Sequence, residues 1–134
     1  MIIVALEELR RHAEELTAQA GVQVTTTQEG QQVYVILRQV TLPAGAYQVA
    51  GTDVLFITDT QYPLSAMDMF WTEEAVLRTD GSVPAGADTL ESYCGRRWRR
   101  FSWHRNGLWN PAGNGLLDHF EFMQDRFARD VTQP

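Results

Sequence analysis

The sequence predicts an α+β fold in which an N-terminal helix, a four-stranded antiparallel meander, a long loop and a C-terminal helix follow one another. Amphipathic stripes at the two ends of the chain predict the helices. Short alternating segments rich in β-branched residues lie between them and predict the strands. No linker and no repeat interrupts the 134 residues, so we expect one domain spanning residues 1–134.

The first helix is predicted in ALEELRRHAEELTAQAG, residues 5–21. Its apolar residues recur at spacings of three and four and therefore share one helix face: Leu6, Leu9, Ala13, Leu16 and Ala20. Gly21 is expected to end this helix, because glycine favours the conformation that follows a helix C-terminus. We expect His12 to face solvent.

A hairpin is predicted in VQVTTTQEGQQVYVILRQV, residues 22–40, with its turn at Glu29 and Gly30. Its second strand places three apolar side chains on one face: Val33, Val35 and Leu37. Short connections between successive strands favour an antiparallel meander.

Two more segments complete the predicted meander: TDVLFIT at residues 52–58 and, after the Tyr62-Pro63 break, SAMDMFW at residues 65–71. Asp68 is expected to fix the turn before the fourth strand through local hydrogen bonds. A role for Asp68 in orienting His104 is an open alternative.

The segment from Thr72 to Asp88 is rich in turn residues and predicts a long irregular loop. NGLLDHFEFMQDRFARD, residues 114–130, predicts the final helix, with Asn114 as N-cap and Asp118 near its positive end. Four apolar residues form the buried stripe of this helix: Leu116, Phe120, Met123 and Phe127. His119 is expected to flank that stripe.

Charge and composition exclude several classes of protein. The net charge of −6 argues against nucleic acid as the main partner, because phosphate binding needs a surplus of positive charge. No apolar stretch approaches a signal peptide or a membrane span, so we expect a cytoplasmic protein without a membrane partner. The single cysteine matches no zinc spacing. We expect no cofactor and no metal, including none held by Cys94, His104 and His119.

A basic stretch, GRRWRRFSWHR at residues 95–105, contains five of the eleven arginines in a chain without lysine. If this segment is extended, Ser102 and His104 project from the same face and come within reach of a hydroxyl-to-imidazole contact. A base beside a hydroxyl is what an activated serine requires. The stretch is therefore a candidate site for nucleophilic chemistry, although a serine and a histidine at this spacing are common by chance.

Four motifs in order carry a resemblance to a known family: LPAGAY (42–47), YPLSAMDMFW (62–71), GRRWRRFSWH (95–104) and LWNPAGNGLLDHF (108–120). Together they resemble prokaryotic family E of the ubiquitin-conjugating superfamily, from about Val22 to the end of the final helix. The resemblance implies a UBC-like fold in which the long loop is the active-site loop.

The resemblance also implies an activity. A conjugating enzyme of this kind accepts a ubiquitin-like protein from an adenylating activating enzyme as an acyl intermediate and transfers it to an amine of a target protein. Family members typically have the tryptophan, serine and histidine that this chain carries as Trp98, Ser102 and His104. Ser102 is thus implied as the acyl carrier, through an oxyester, and His104 as its base.

The chain departs from the wider superfamily and from the family pattern. The superfamily's histidine-proline-asparagine tripeptide is missing after Trp71, and Cys94 lies too early to match its cysteine. Phe101 and Asn114 stand where tryptophan and aspartate are typical, and Trp103 replaces a basic residue.

Further predictions concern residues around this site. Cys94 is an alternative nucleophile, although a packing role is favoured. Asn106 and Asn114 are candidate hydrogen-bond donors to the oxyanion of the transition state. The basic side chains form either a solvated strand edge or a surface that docks an acidic partner: Arg96, Arg97, Arg99, Arg100 and Arg105. Three tryptophans are expected to pack in the core or anchor loops: Trp98, Trp103 and Trp109.

Two other functions stay open at this point. The protein could be a scaffold of the same fold that binds a ubiquitin-like protein or its activating enzyme without covalent chemistry. An arginine-rich nucleic-acid binder is a third class, and its binding would weaken steeply as salt rises.

Overall fold

A computed structural model describes residues 3–105, 109–113 and 115–132, with only the backbone described for residues 3–6 and 131–132. Within these ranges the chain forms two helices and six strands. Their bounds are α1 (Ile3–Ala20), β1 (Gln23–Glu29), β2 (Gln32–Thr41), β3 (Gly51–Asp59), β4 (Phe70–Glu73), β5 (Thr89–Tyr93), β6 (Arg96–Phe101) and α2 (Leu116–Thr132). None of the helices in these ranges is long and apolar enough to cross a membrane.

The strands form one antiparallel sheet in the order β1-β2-β3-β4-β6-β5. The first four strands are neighbours in chain order, which confirms the α+β fold and its meander. β4 begins at Phe70, so most of the segment 65–71 precedes the strand it was expected to form. Met69 has a positive φ of 58°, which interrupts extended backbone at this point.

A second hairpin, β5–β6, extends the sheet and was not predicted from the sequence. The turn between its strands is Cys94-Gly95, whose φ angles of 54° and 71° suit a two-residue hairpin turn. β6 pairs with β4 on one side and with β5 on the other. The basic stretch therefore lies largely inside the sheet, and β5 forms its outer edge.

The main core lies between one face of the sheet and the two helices. The predicted stripe of α2 is buried, with Leu116 and Met123 both fully inaccessible. The expectation for His12 was wrong: it is 3% exposed, because it lies one turn from both Leu9 and Leu16 on the buried face of α1. Ala20, at the end of the predicted stripe, is exposed.

A smaller core covers the other face of the sheet, formed by Tyr34, Ile36, Leu55, Trp71 and Trp98. Trp98 is fully buried, as expected, and the Arg96 guanidinium lies 4.4 Å from its ring centroid. The other two tryptophans also take the predicted roles. Trp103 is 6% exposed, and the indole nitrogen of Trp109 donates to the Pro63 carbonyl at 2.8 Å.

Tyr62 joins α1 to the start of α2. Its hydroxyl accepts a hydrogen bond from the Leu116 amide at 2.9 Å and lies 2.5 Å from His12 Nδ1, to which it can donate. Nε2 of the same histidine lies 3.1 Å from Glu8. Gly115 has a φ of 47°, and a Cβ there would overlap the tyrosine hydroxyl. The predicted N-cap, Asn114, lies outside the described residues.

Candidate functional site

Two segments that are distant in sequence meet at one end of the sheet. β4 and β6 run antiparallel, and the pairing of Phe70 with Phe101 places the residues before β4 beside the residues after β6. Asp68 and Met69 approach from one side, and residues 102–105 from the other. The candidate site is built at this junction.

Asp68 and His104 form the central contact of the site. Asp68 Oδ2 lies 2.6 Å from His104 Nδ1, and Asp68 Oδ1 accepts the Arg105 amide at 2.7 Å. Burial acts to raise the pKa of Asp68, but the hydrogen bonds from His104 and from the Arg105 amide outweigh it, so this pKa lies below its ordinary value. Both side chains keep about half of their surface, 44% and 56%, open to solvent.

This contact orients the imidazole. An ionised Asp68 accepts a proton from Nδ1, which leaves Nε2 as the basic nitrogen. Among the described residues no side chain or carbonyl is hydrogen-bonded to Nε2 of His104. Asp68 therefore lies where it could orient the imidazole of His104, as the open alternative from the sequence requires.

Ser102 lies just beyond the last residue of β6. Its amide donates to the Gly86 carbonyl at 3.0 Å, and its Oγ accepts from Arg100 Nε at 3.1 Å. In the described part of the chain no hydrogen bond joins Ser102 to His104, contrary to the expected contact. The reason is local: the strand ends at Phe101, Ser102 stays on the Arg100 side, and His104 turns toward Asp68.

A buried histidine on α2 forms hydrogen bonds with both segments of the site. His119 is fully inaccessible, and its Nε2 donates to the Met69 carbonyl at 2.7 Å. Its Nδ1 accepts from the Arg105 guanidinium at 3.3 Å. Burial lowers the pKa of His119 to about 4, so the ring is neutral at pH 7. The sequence predicts His119 beside the stripe of α2, but no sequence pattern indicates that it hydrogen-bonds to both segments of the site.

The predicted docking arginines take different positions. Arg99 is 8% exposed and donates to the Glu74 and Ala87 carbonyls, which does not fit a docking role. The Arg105 guanidinium lies 5.2 Å and 5.6 Å from the ring centroids of Trp109 and Phe122.

The other three arginines form ion pairs within the chain: Arg96 with Asp53, Arg97 with Glu74 and Arg100 with Glu91, at 3.0, 3.1 and 3.0 Å. The side chain of Arg97 is the most open of the three, at 59% exposure. A docking role therefore fits Arg97 best.

Cys94 lies at the opposite end of β6 from Ser102. Six strand residues at about 3.3 Å each separate the two positions by roughly 20 Å. Burial and the negative charge of Glu29 raise the pKa of Cys94 against the opposing effect of Arg96, which disfavours the reactive thiolate. Cys94 is therefore not part of the junction that holds His104.

The remaining predictions for the site concern a metal and two asparagines. Within the described ranges no group of three or more histidine, cysteine or acidic side chains could hold a metal ion. Asn106 and Asn114, the candidate oxyanion donors, lie outside the described residues.

An N-terminal helix, an antiparallel sheet with a meander and a C-terminal helix are the features of a UBC-like fold. The sequence pattern of prokaryotic E2 family E matches residues 9–130, which is most of the chain. The chain belongs to prokaryotic E2 family E, and so to a family related to ubiquitin-like conjugation, in which a ubiquitin-like protein and its activating enzyme are the general partners. No curated protein and no solved structure matches the chain.

Proposed function

We propose that this protein accepts the C-terminal acyl group of a ubiquitin-like protein on Ser102 and passes it to an amine of a target protein. The observation that carries this proposal is the Asp68–His104 contact, which orients a base two residues along the chain from a serine at the end of β6. Membership of the E2 family supplies the reaction class.

His104 acts as the general base in this proposal. Ser102 Oγ attacks the activated carbonyl carbon, a new O–C bond forms, and the bond to the activating enzyme's leaving group breaks. The hydroxyl proton passes to His104 Nε2 and then to the leaving group. Asp68 keeps Nδ1 protonated throughout, so that Nε2 remains the accepting nitrogen.

The second half of the reaction reverses the roles. A target amine attacks the oxyester carbon, the N–C bond forms, and Ser102 Oγ leaves with the proton that His104 takes from the amine. Ser102 and His104 come into contact when the acyl donor occupies the site, since catalytic hydrogen bonds often tighten only in the complex. The exposure of both His104 and Asp68 leaves room for the donor.

A non-catalytic scaffold is the second candidate function. It is favoured by one observation: the Ser102 hydroxyl is bonded to Arg100 and, in the described structure, not to His104. A scaffold of this fold would bind the ubiquitin-like protein or its activating enzyme without forming a covalent adduct.

Reconstitution separates the two candidates. The protein is incubated with the activating enzyme, ATP and the ubiquitin-like protein, and the modified residue is mapped by mass spectrometry. The proposal expects an adduct on Ser102 that resists thiol reductants and yields to hydroxylamine or mild alkali. Ser102→Ala should abolish the adduct, Ser102→Cys should make it sensitive to reductant, and Cys94→Ala should change little.

Two outcomes oppose the catalytic proposal. Binding without any adduct supports the scaffold. An adduct that survives Ser102→Ala but is lost in Cys94→Ala assigns the carrier role to the cysteine.

A further inference from the structure

The hydrogen bond from Arg100 to Ser102 has no part in the mechanism above. Arg100 and Ser102 are two residues apart, so both side chains project from the face of the sheet opposite the helices. Nε of the guanidinium donates to the serine oxygen at 3.1 Å. This arrangement leaves the serine proton free to be transferred to a base.

The guanidinium is held in place by Glu91 on the neighbouring strand. Arg100 Nη1 donates to Glu91 Oε2 at 3.0 Å, so that one nitrogen of the guanidinium binds the carboxylate while Nε donates to the serine. Glu91 Oε1 is itself fixed by the Trp71 indole nitrogen at 2.8 Å and the Tyr93 hydroxyl at 3.3 Å. Glu91, Trp71 and Tyr93 thus determine the direction of the Nε–H group of Arg100.

The ion pair between Arg100 and Glu91 is partly shielded from solvent, which strengthens the electrostatic effect of Arg100 on neighbouring groups. The side chains of Arg100 and Glu91 are 31% and 27% exposed, so water screens them less than it screens an open surface pair. A cation that donates to an oxygen favours negative charge on that oxygen. Ser102 Oγ carries such charge when it attacks a carbonyl and again when it leaves an oxyester.

We propose that Arg100 is a further catalytic residue, which stabilises the charge on Ser102 Oγ as its bonds to the acyl group form and break, and that Glu91 is its positioning residue. For the natural acyl group this inference rests on the proposed function. It explains how an oxyester, whose alkoxide is a poor leaving group, can be aminolysed: the guanidinium binds the departing oxygen.

The test measures the reactivity of Ser102 without any conjugation partner. An alkyl fluorophosphonate probe is incubated with the full chain, and the labelling rate at Ser102 is followed by mass spectrometry. In this reaction the Oγ–P bond forms, the P–F bond breaks, and fluoride leaves as the hydroxyl proton passes to His104 or buffer. The probe is uncharged, so charge changes on the protein surface do not alter its approach.

Arg100→Gln should slow labelling by at least about tenfold, because a charge-assisted hydrogen bond to the reacting oxygen is lost. Glu91→Gln should slow it less, and Arg100→Lys should recover part of the rate because it keeps the charge without the two-pronged geometry. Arg38→Gln is the matched control: its side chain is 45% exposed and pairs with Asp53, which Arg96 also binds. This control should label at the unmodified rate.

The inference is overturned if Arg100→Gln labels as fast as the control, or if Ser102 of the unmodified protein does not label. Should Arg100→Gln fail to fold, as judged by circular dichroism, Glu91→Gln decides in its place: an unchanged rate overturns the inference and a reduced rate supports it. Labelling that depends on Arg100, without any adduct in the reconstituted conjugation reaction, would sustain this inference while refuting the proposed function.

Discussion

His104 and Asp68 lie 36 positions apart in the chain, and their side chains meet at 2.6 Å. One follows β6 and the other precedes β4, so neither can hold this position unless both strands are paired. The contact makes the orientation of the imidazole a property of the sheet rather than of the segment SWH alone.

Replacing Asp68 by Asn should impair conjugation by about a hundredfold. The asparagine amide would donate a hydrogen bond to Nδ1 of His104, so the ring proton would move to Nε2. Nε2 must be unprotonated to act as the base in the proposed mechanism. Nitrogen chemical shifts of His104 should show the tautomer change. Asp125→Asn, on the exposed surface of α2, is the control and should leave both tautomer and rate unchanged. A normal rate with the altered tautomer would remove His104 from the mechanism.

Because the pKa of His119 is lowered in the folded state, we expect the free energy of unfolding to decrease as the pH falls from 6.5 to 4. Burial lowers its pKa from 6.5 to about 4 in the folded state, so across this window the unfolded chain binds more protons than the folded one. A shift of this size corresponds to about 3 kcal/mol of unfolding free energy.

Denaturant unfolding at several pH values tests the contribution of His119. His119→Gln should show a flatter pH dependence between pH 6.5 and 4 than the unmodified protein. Asp68, whose pKa is also lowered, should contribute at still lower pH, because its stabilisation is lost as the pH falls through its folded pKa. Equal slopes for the variant and the unmodified protein would show that His119 does not titrate as argued.

Tyr62→Phe should lower the free energy of unfolding by about 1–3 kcal/mol. Loss of the hydroxyl leaves the buried Leu116 amide and His12 Nδ1 without their hydrogen-bond partner. Tyr34→Phe is the control, because Tyr34 is also a largely buried residue, at 9% exposure, but no described residue is hydrogen-bonded to its hydroxyl. Similar losses for the two variants would show that the hydrogen bonds of the Tyr62 hydroxyl to Leu116 and His12 do not account for the change in stability.

Reversing the charge of Arg97 should slow adduct formation mainly at low salt. Its side chain is open, and steering between exposed charges is screened over about 10 Å at 0.1 M ionic strength. Initial rates for Arg97→Glu are compared at two salt concentrations with those for Arg10→Glu, on the exposed face of α1. A deficit that does not change with salt would contradict a steering role.

The absence of lysine should limit self-modification. An acyl carrier exposes its own amines to the activated group, and lysine is the usual acceptor because its amine is nucleophilic when deprotonated. The 134 residues contain none, so stable amide-linked adducts should not accumulate at internal positions during prolonged conjugation. Peptide mapping after alkaline treatment measures them. A coding preference for arginine is an alternative origin of this composition.

The sequence was sufficient for the parts of the fold that depend on periodicity. The stripe containing Phe120 and Phe127 predicted α2, and the alternation of Val33, Val35 and Leu37 predicted their burial on the helix side of the sheet. The burial of His12 could have been predicted from the same periodicity, because its spacing from Leu9 and Leu16 places it on the buried face of α1.

β6 was not predicted because its sequence shows no alternation of polar and apolar residues. Arginines occupy both faces of the strand, as Arg97 and Arg99 on one and Arg96 and Arg100 on the other, so no polar and apolar alternation is visible. The Cys94-Gly95 turn between flanking β-forming residues was the available signal.

The site itself depends on contacts that no local pattern encodes. His104 was identified through its neighbours in sequence, but its partner Asp68 and the supporting His119 come from other elements of the fold. A serine and histidine two residues apart predicted a contact that is absent from the described structure, because β6 ends at Phe101 and His104 turns toward Asp68.

The insertion of β6 between β4 and β5 has a consequence during synthesis. Asp68 leaves the ribosome well before the strand that must pair beside it, and His119 follows later still. A nascent chain that has formed only β1 to β4 therefore lacks the Asp68–His104 contact. Under the proposed function, the base would be oriented only once β6 has paired with β4, so a chain truncated before residue 104 would lack it.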